Sequence, residues 1–298
     1  MGYGSYSYAA HQAITSARAN LPGQAVFTRR QVHPLMSPKG VKSRESRDSE
    51  QHPNTVSIVF ALDVSGSMGA VPEQIARREL PTFMKTLLDA GVADPQILFM
   101  AFQDAAGPEA PLQVGQFEST AELMDQWLTW TWLVGGGYSE FESYDLAMYF
   151  AARHTKLDSL EKRGKKGYFF MSGDEPCYPS MFASFVSEVI GDSLPSDVPL
   201  ADVVADLKKT YHPFFLIPDP GRGGVAPFWK KHFGEAAIVL ADPADVCAVA
   251  AGAIAISEGF VPGLDGLGAS LARHGMASER IARITGAMQA WARSIGQG

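Results

Sequence analysis

The chain has 298 residues, 46% of them hydrophobic, with a formal net charge of -7. That length allows one large domain or two small ones around an ample core, and the acidic balance argues against a general nucleic-acid binder. Two cysteines far apart, Cys177 and Cys247, make neither a disulfide framework nor a zinc spacing, which favours a reducing compartment.

The start, Met1-Gly-Tyr-Gly-Ser-Tyr-Ser-Tyr, lacks the basic region and apolar segment of a signal peptide. No run reaches the roughly 18 apolar residues of a membrane span. The richest, Val246 to Ile256, is short and fits a packed helix. A cytoplasmic protein is expected.

Residues 1–54 carry seven Lys/Arg against three Asp/Glu and form a basic N-terminal extension. Within it Tyr8 to Ala19 suits a short helix, and Lys39 to Glu50, without apolar periodicity, suits an exposed arm or loop. From Thr55 strands and helices alternate. Val56 to Leu62 has no polar alternation, as in a buried parallel strand. Pro72 to Gly91 is an amphipathic helix with Pro81 as a possible kink, and Gln96 to Gln103 is a second buried strand. Leu112 to Phe117 suits an edge strand, and Ser119 the cap of a helix to about Trp130. Trp132 to Ser139 is a short strand end running into a triple-glycine loop, before a helix from Glu142 to Thr155.

Gly167 to Ser172 is the next strand, with helices at Pro179–Ile190 and Leu200–Thr210. Strands at Tyr211–Ile217 and Ala237–Leu240 flank a helix at Val225–Phe233, and Asp242 opens a last apolar helix to Glu258. The alternation predicts an α/β fold, three-layer and doubly wound, with a mainly parallel sheet between helices. Residues 55–260 form this domain. Residues 261–298 are a helical extension whose Ile281, Ile284, Met288 and Trp291 recur at helical spacing and suit packing on the domain.

Asp63-Val-Ser65-Gly-Ser67 follows the first buried strand, where open α/β sheets place ligands. One carboxylate and two hydroxyls in alternation suit a hard cation such as Mg²⁺ that keeps waters and takes few protein ligands. Capping of the next helix explains one such residue but not three.

In this placement the motif resembles the metal-ion-dependent adhesion site (MIDAS) of von Willebrand factor A (vWA) domains. The resemblance spans roughly residues 55–260. It implies direct ligation by Ser65 and Ser67, and Asp63 binding mainly through a bridging water. Asp174 in Ser172-Gly-Asp-Glu is the third-loop aspartate, one residue later than the usual Asp-Gly order, with Glu175 as the competing carboxylate. The second loop, Gly135-Gly-Gly-Tyr138-Ser139-Glu140-Phe-Glu142-Ser143, lacks the usual Thr or Asp; Ser139, Ser143 and Glu142 are the candidate substitutes. Tyr138, Phe141 and Met68 are candidates for an apolar rim.

The resemblance further implies Mg²⁺ (or Mn²⁺ or Ca²⁺), and a protein partner whose acidic side chain completes the metal. Stand-alone vWA proteins of bacterial type are often adaptors for AAA+ ATPases of the MoxR type, so an adaptor, not an enzyme, is expected. The alternatives are a metal-dependent hydrolase or phosphatase and an extracellular adhesin. Position 65 is serine where haloacid-dehalogenase phosphatases need a second acid, and neither serine sits in Gly-x-Ser-x-Gly. His154 and His212 suit structural roles, and Gly221-Arg-Gly-Gly224 is a weak phosphate cradle without a Walker lysine. Missing leader and sparse cysteines weigh against the adhesin.

Overall fold

The apolar run before Asp63 forms β1 (Val56–Asp63), in which every residue after Val56 is buried. In this computed structural model, which describes residues 4, 6–107 and 109–297 except for the side chains of Ala76, Arg78 and Pro81, β1 lies inside a six-stranded sheet. The others are β2 (Pro95–Phe102), β3 (Leu112–Val114), β4 (Gly167–Ser172), β5 (Tyr211–Ile217) and β6 (Ala237–Val239). Their order is β6-β5-β4-β1-β2-β3. All neighbours are parallel except β3, which runs antiparallel to β2 at the edge.

Alternate residues of β1 feed opposite layers, as the two-residue period of a strand requires. Ile58, Phe60 and Leu62 join Phe83, Leu87, Val249 and Ile254 on one face. Val59 and Ala61 join Leu146, Phe150, Leu207 and Trp229 on the other. The molecule is therefore an α/β fold with a mostly parallel sheet between two helical layers. The chain order reverses direction between β1 and β4, and such a switch point opens a crevice beyond the carboxyl ends of the strands.

The helix Val246–Ser257 is apolar all round because it is covered all round. Helices Gly263–Arg273 and Ser278–Ser294 lie over it and bring Leu267, Leu271, Ile284, Met288 and Trp291 into the same core. Among the described residues no helix is long and apolar enough to cross a membrane.

Several local expectations shift. Pro72–Gly91 is not one helix: a π turn at Ile75–Glu79 separates Val71–Gln74 from Leu80–Asp89. Pro81 has no N–H for the carbonyl four residues back, and a widened turn absorbs that loss. Thr120, not Ser119, caps the next helix, its hydroxyl accepting from the Leu123 N–H. No strand forms at Trp132; the Gln113 side-chain amide instead meets both its N–H and its carbonyl, each at 2.9 Å.

Nor is Lys39–Glu50 simply an exposed loop. Arg44–Ser46 pairs parallel with Thr155–Leu157, and Arg47 bonds Asp158 at 2.7 Å while Arg163 bonds Asp48 at 2.6 Å. Long-range charge pairing holds this stretch, which hydrophobic periodicity does not register. The opening Met1–Tyr3 of the leader reading lies outside the described residues.

Candidate functional site

Register brings the two acidic loop ends together. Leu62 of β1 pairs with Ser172 of β4, so Asp63 and the Gly173-Asp174 turn leave the sheet side by side. Asp63 is fully buried. Its Oδ1 accepts the Ser65 N–H at 2.9 Å, and its Oδ2 accepts the Tyr144 hydroxyl at 3.0 Å. The Ser65 and Ser67 hydroxyls lie 3.0 Å apart, and Ser67 donates to Asp174 Oδ1 at 2.9 Å. Asp63, Ser65, Ser67 and Asp174 thus form one continuous polar chain, buried at Asp63 and open to solvent at Ser67.

The one-residue delay of the third-loop carboxylate has a steric cause. A Cβ at position 173 would lie 2.1 Å from the Tyr144 hydroxyl, so only glycine fits there. The first side chain free to face the serines belongs to Asp174. Tyr144 is itself held in an aromatic nest: its ring centroid lies 4.6 Å from Phe102, 5.3 Å from Phe215 and 4.9 Å from Trp229.

The glycine loop closes the other side. Gly66 N–H donates to the Gly136 carbonyl at 2.6 Å, and Gly135 N–H to the Val64 carbonyl at 3.1 Å. A Cβ on Gly66 would stand 2.8 Å from the Gly135 carbonyl oxygen, so the loops touch backbone to backbone.

The three second-loop candidates separate clearly. The Ser139 hydroxyl is exposed and engages the Phe141 backbone and the Tyr178 hydroxyl at 3.1 Å. Ser143 is fully buried and accepts the Ala105 N–H at 2.9 Å. Glu142 is buried, and its Oε2 has no hydrogen-bond partner. Burial, then the negative charges of Asp63, Asp104, Glu175 and Asp174, push the Glu142 carboxyl up to about 9. Burial likewise pushes Asp63 up to about 7; the Ser65 bonds oppose that rise and the Asp174 charge adds to it. Burial and mutual repulsion both disfavour the charged form of a carboxylate, and here they act together.

Of the rim candidates, Tyr138 is 46% exposed, and Phe141 is half-buried against Tyr178. Met68 is fully buried and belongs to the core, because its residue turns inward between two exposed neighbours. His154 is held by the Val41 carbonyl and Asp192, each at 2.8 Å.

The donor set fits a hard cation: two hydroxyls and two carboxylates at the ends of two neighbouring strands, with the Glu142 carboxylate, one of its oxygens orphaned and buried, on the glycine-loop side. Among the described residues no three His, Cys, Asp or Glu side chains converge as a metal cage. Sequence reasoning missed two residues. Nothing local marks Tyr144 as the donor to Asp63, and Arg222, considered only within a phosphate cradle, reaches Asp174 and the Ser67 carbonyl.

No protein-family profile matches the sequence, and no curated protein matches it. Solved structures with a similar fold include proximal thread matrix protein 1 from the mussel byssus, at 11% identity and a TM-score of 0.44 over 70% of this chain and 50% of that one. The same protein is also known with a zinc-occupied MIDAS motif, matching at 10% identity and a TM-score of 0.42 over 70% of this chain and 50% of that one. The pilus adhesin SpaC from Lactobacillus rhamnosus GG matches at 14% identity and a TM-score of 0.44 over 74% of this chain and 31% of that one. The chain spans about half the length of the mussel protein and about a third of the adhesin. At TM-scores this low the likenesses carry no weight, and the site stands on the strand order and side chains described above.

Proposed function

We propose that this chain is a vWA-type, cation-dependent protein-binding module. The observation that carries the reading is the single polar chain Asp63–Ser65–Ser67–Asp174 at the sheet's switch point, open to solvent at Ser67. Ser65 and Ser67 would hold the ion, and Asp63 and Asp174 would hold its waters. Glu142 takes the second-loop role, since the Ser139 and Ser143 hydroxyls are committed elsewhere. The ion, Mg²⁺ before Mn²⁺ or Ca²⁺, supplies an unfilled oxygen position that a partner's carboxylate completes. Tyr138 and Phe141 provide the apolar flank of that contact.

The chain's own residues bind and orient, and chemistry belongs to the assembly it joins. Two free buried cysteines suit a cytoplasmic setting. An AAA+ ATPase of the MoxR type is the first partner class to try. The test is binding of a candidate ATPase, or of an acidic-loop peptide, in Mg²⁺ and in chelator. Binding in Mg²⁺ that is lost in chelator and in Asp63→Ala is the expected result. Equal binding in chelator would overturn the reading.

A further inference from the structure

The Gly221-Arg-Gly-Gly224 turn, left over as a phosphate cradle, faces the cation site. It is part of the turn Pro220–Val225 that follows β5. Arg222 Nε donates to Asp219 Oδ2 at 2.8 Å, while its Nη1 serves both Asp174 Oδ2 and the Ser67 carbonyl. Asp174 is deep, its side chain 7% exposed, whereas the Asp219 side chain is 31% exposed and lies on the solvent side. With Ser67 donating to Asp174 Oδ1, both oxygens of that carboxylate are engaged.

We propose that Arg222 is a tethered counter-cation that holds Asp174 and the Ser67 backbone in the metal-free state and gives up Asp174 when a divalent cation binds. This rests on reading the site as a cation site. A guanidinium carries its charge at any working pH, so it cannot leave by deprotonation. A divalent ion at Ser65 and Ser67 would stand close to it across a poorly solvated carboxylate, where like charges repel strongly. Asp219 offers a second seat already bonded to Nε, so release of Asp174 leaves the guanidinium paired. Gly221, Gly223 and Gly224 flank the arginine; a Cβ on Gly221 would stand 3.0 Å from Asp219 Oδ1 and one on Gly223 3.7 Å from Val239, while one on Gly224 would meet nothing within 4 Å, so there is open space on the Gly224 side of the turn. The site would then be tuned for weak, reversible loading, with occupancy linked to the position of this turn.

The test is calorimetric titration of Mg²⁺ and Mn²⁺ into metal-stripped wild type, Arg222→Gln, Arg222→Lys and Asp219→Asn, with Arg30→Gln as a control. Arg30 lines the cleft beside Ser65 and, among the described residues, bonds the backbone carbonyls of Phe27 and Arg29. Arg222→Gln should bind metal more tightly by on the order of tenfold, within the usual range for two ligands competing at one site. Arg222→Lys should fall between, and Asp219→Asn should bind more weakly because Arg222 then has only Asp174. Arg30→Gln should change affinity less than Arg222→Gln, separating local competition from a general charge effect. Unchanged or weaker binding by Arg222→Gln, with wild type still binding, would overturn the counter-cation and leave the cation site standing. Binding by none of the proteins would overturn both.

Discussion

Replacing Gly66 by alanine tests whether the first and second loops form one rigid frame. The added Cβ would begin 2.8 Å from the Gly135 carbonyl oxygen and 3.4 Å from that of Gly136. The glycine loop has to retreat by about half an ångström to reach ordinary contact, and overpacking of this kind costs about 1–3 kcal/mol. The 2.6 Å bond from the Gly66 N–H to Gly136 stretches at the same time. For a chain of this size each kcal/mol lowers the melting temperature by about 2 °C, so a fall of about 2–6 °C is expected. Mg²⁺ affinity should fall with it, since Glu142 sits beyond the same loop. Thermal unfolding followed by circular dichroism and metal titration reads both. A melting temperature within a degree of wild type together with unchanged affinity would show that the loops do not bear on one another.

Tyr144→Phe removes the hydroxyl that stabilises ionised Asp63. Asp63, raised to about 7, keeps its proton in the folded metal-free chain at pH values where the unfolded chain has lost it. The metal-free protein therefore loses stability as pH rises from about 4 to about 7. A bound cation displaces that proton and the one on Glu142, raised to about 9, so Mg²⁺ affinity should climb through pH 7 and go on rising toward pH 9. In Tyr144→Phe the midpoint should move upward; a flat profile between about pH 6 and 8 in the wild type contradicts this.

Asp48 behaves in the opposite sense. Burial alone would raise it, but the bonds from Arg163 and Thr55 outweigh burial and hold it at about 2. With an unfolded value of about 3.9, its contribution is present above that pH and disappears as pH falls through about 2. Asp48→Asn should therefore lower the melting temperature at pH 6 and much less at pH 2. A pH-independent difference would rule out the ion pair as the cause.

The centre of the sheet was legible because its four inner strands are apolar runs of six to eight residues. Val56–Asp63 and Gly167–Ser172 are marked by composition alone, and the edges of Leu200–Thr210 and Tyr211–Ile217 were readable end to end. The first loop was legible for a related reason, since Asp63, Ser65 and Ser67 are local in sequence. What could not be read depends on distant chain. Tyr144 reaches Asp63 across 81 positions, and Arg222 reaches Asp174 across 48. The offset of Asp174 follows from the Tyr144 hydroxyl behind Gly173, and the engagement of the Ser139 and Ser143 hydroxyls from residues of other loops, Tyr178 and Ala105. None of these leaves a periodic trace. Arg44–Ser46 stayed hidden because its partner strand lies more than a hundred positions away and the ion pairs beside it come from Arg47 and Asp48, so the run of mixed charges reads as solvated chain.

The most direct test is calorimetric titration of Mg²⁺ and Mn²⁺ into the metal-stripped protein, repeated with Asp63→Ala. Saturable binding in the wild type that disappears in the variant, with the fold retained, is the predicted result. Wild type that binds neither ion, or Asp63→Ala that binds as well as wild type, would contradict a cation site at the end of β1.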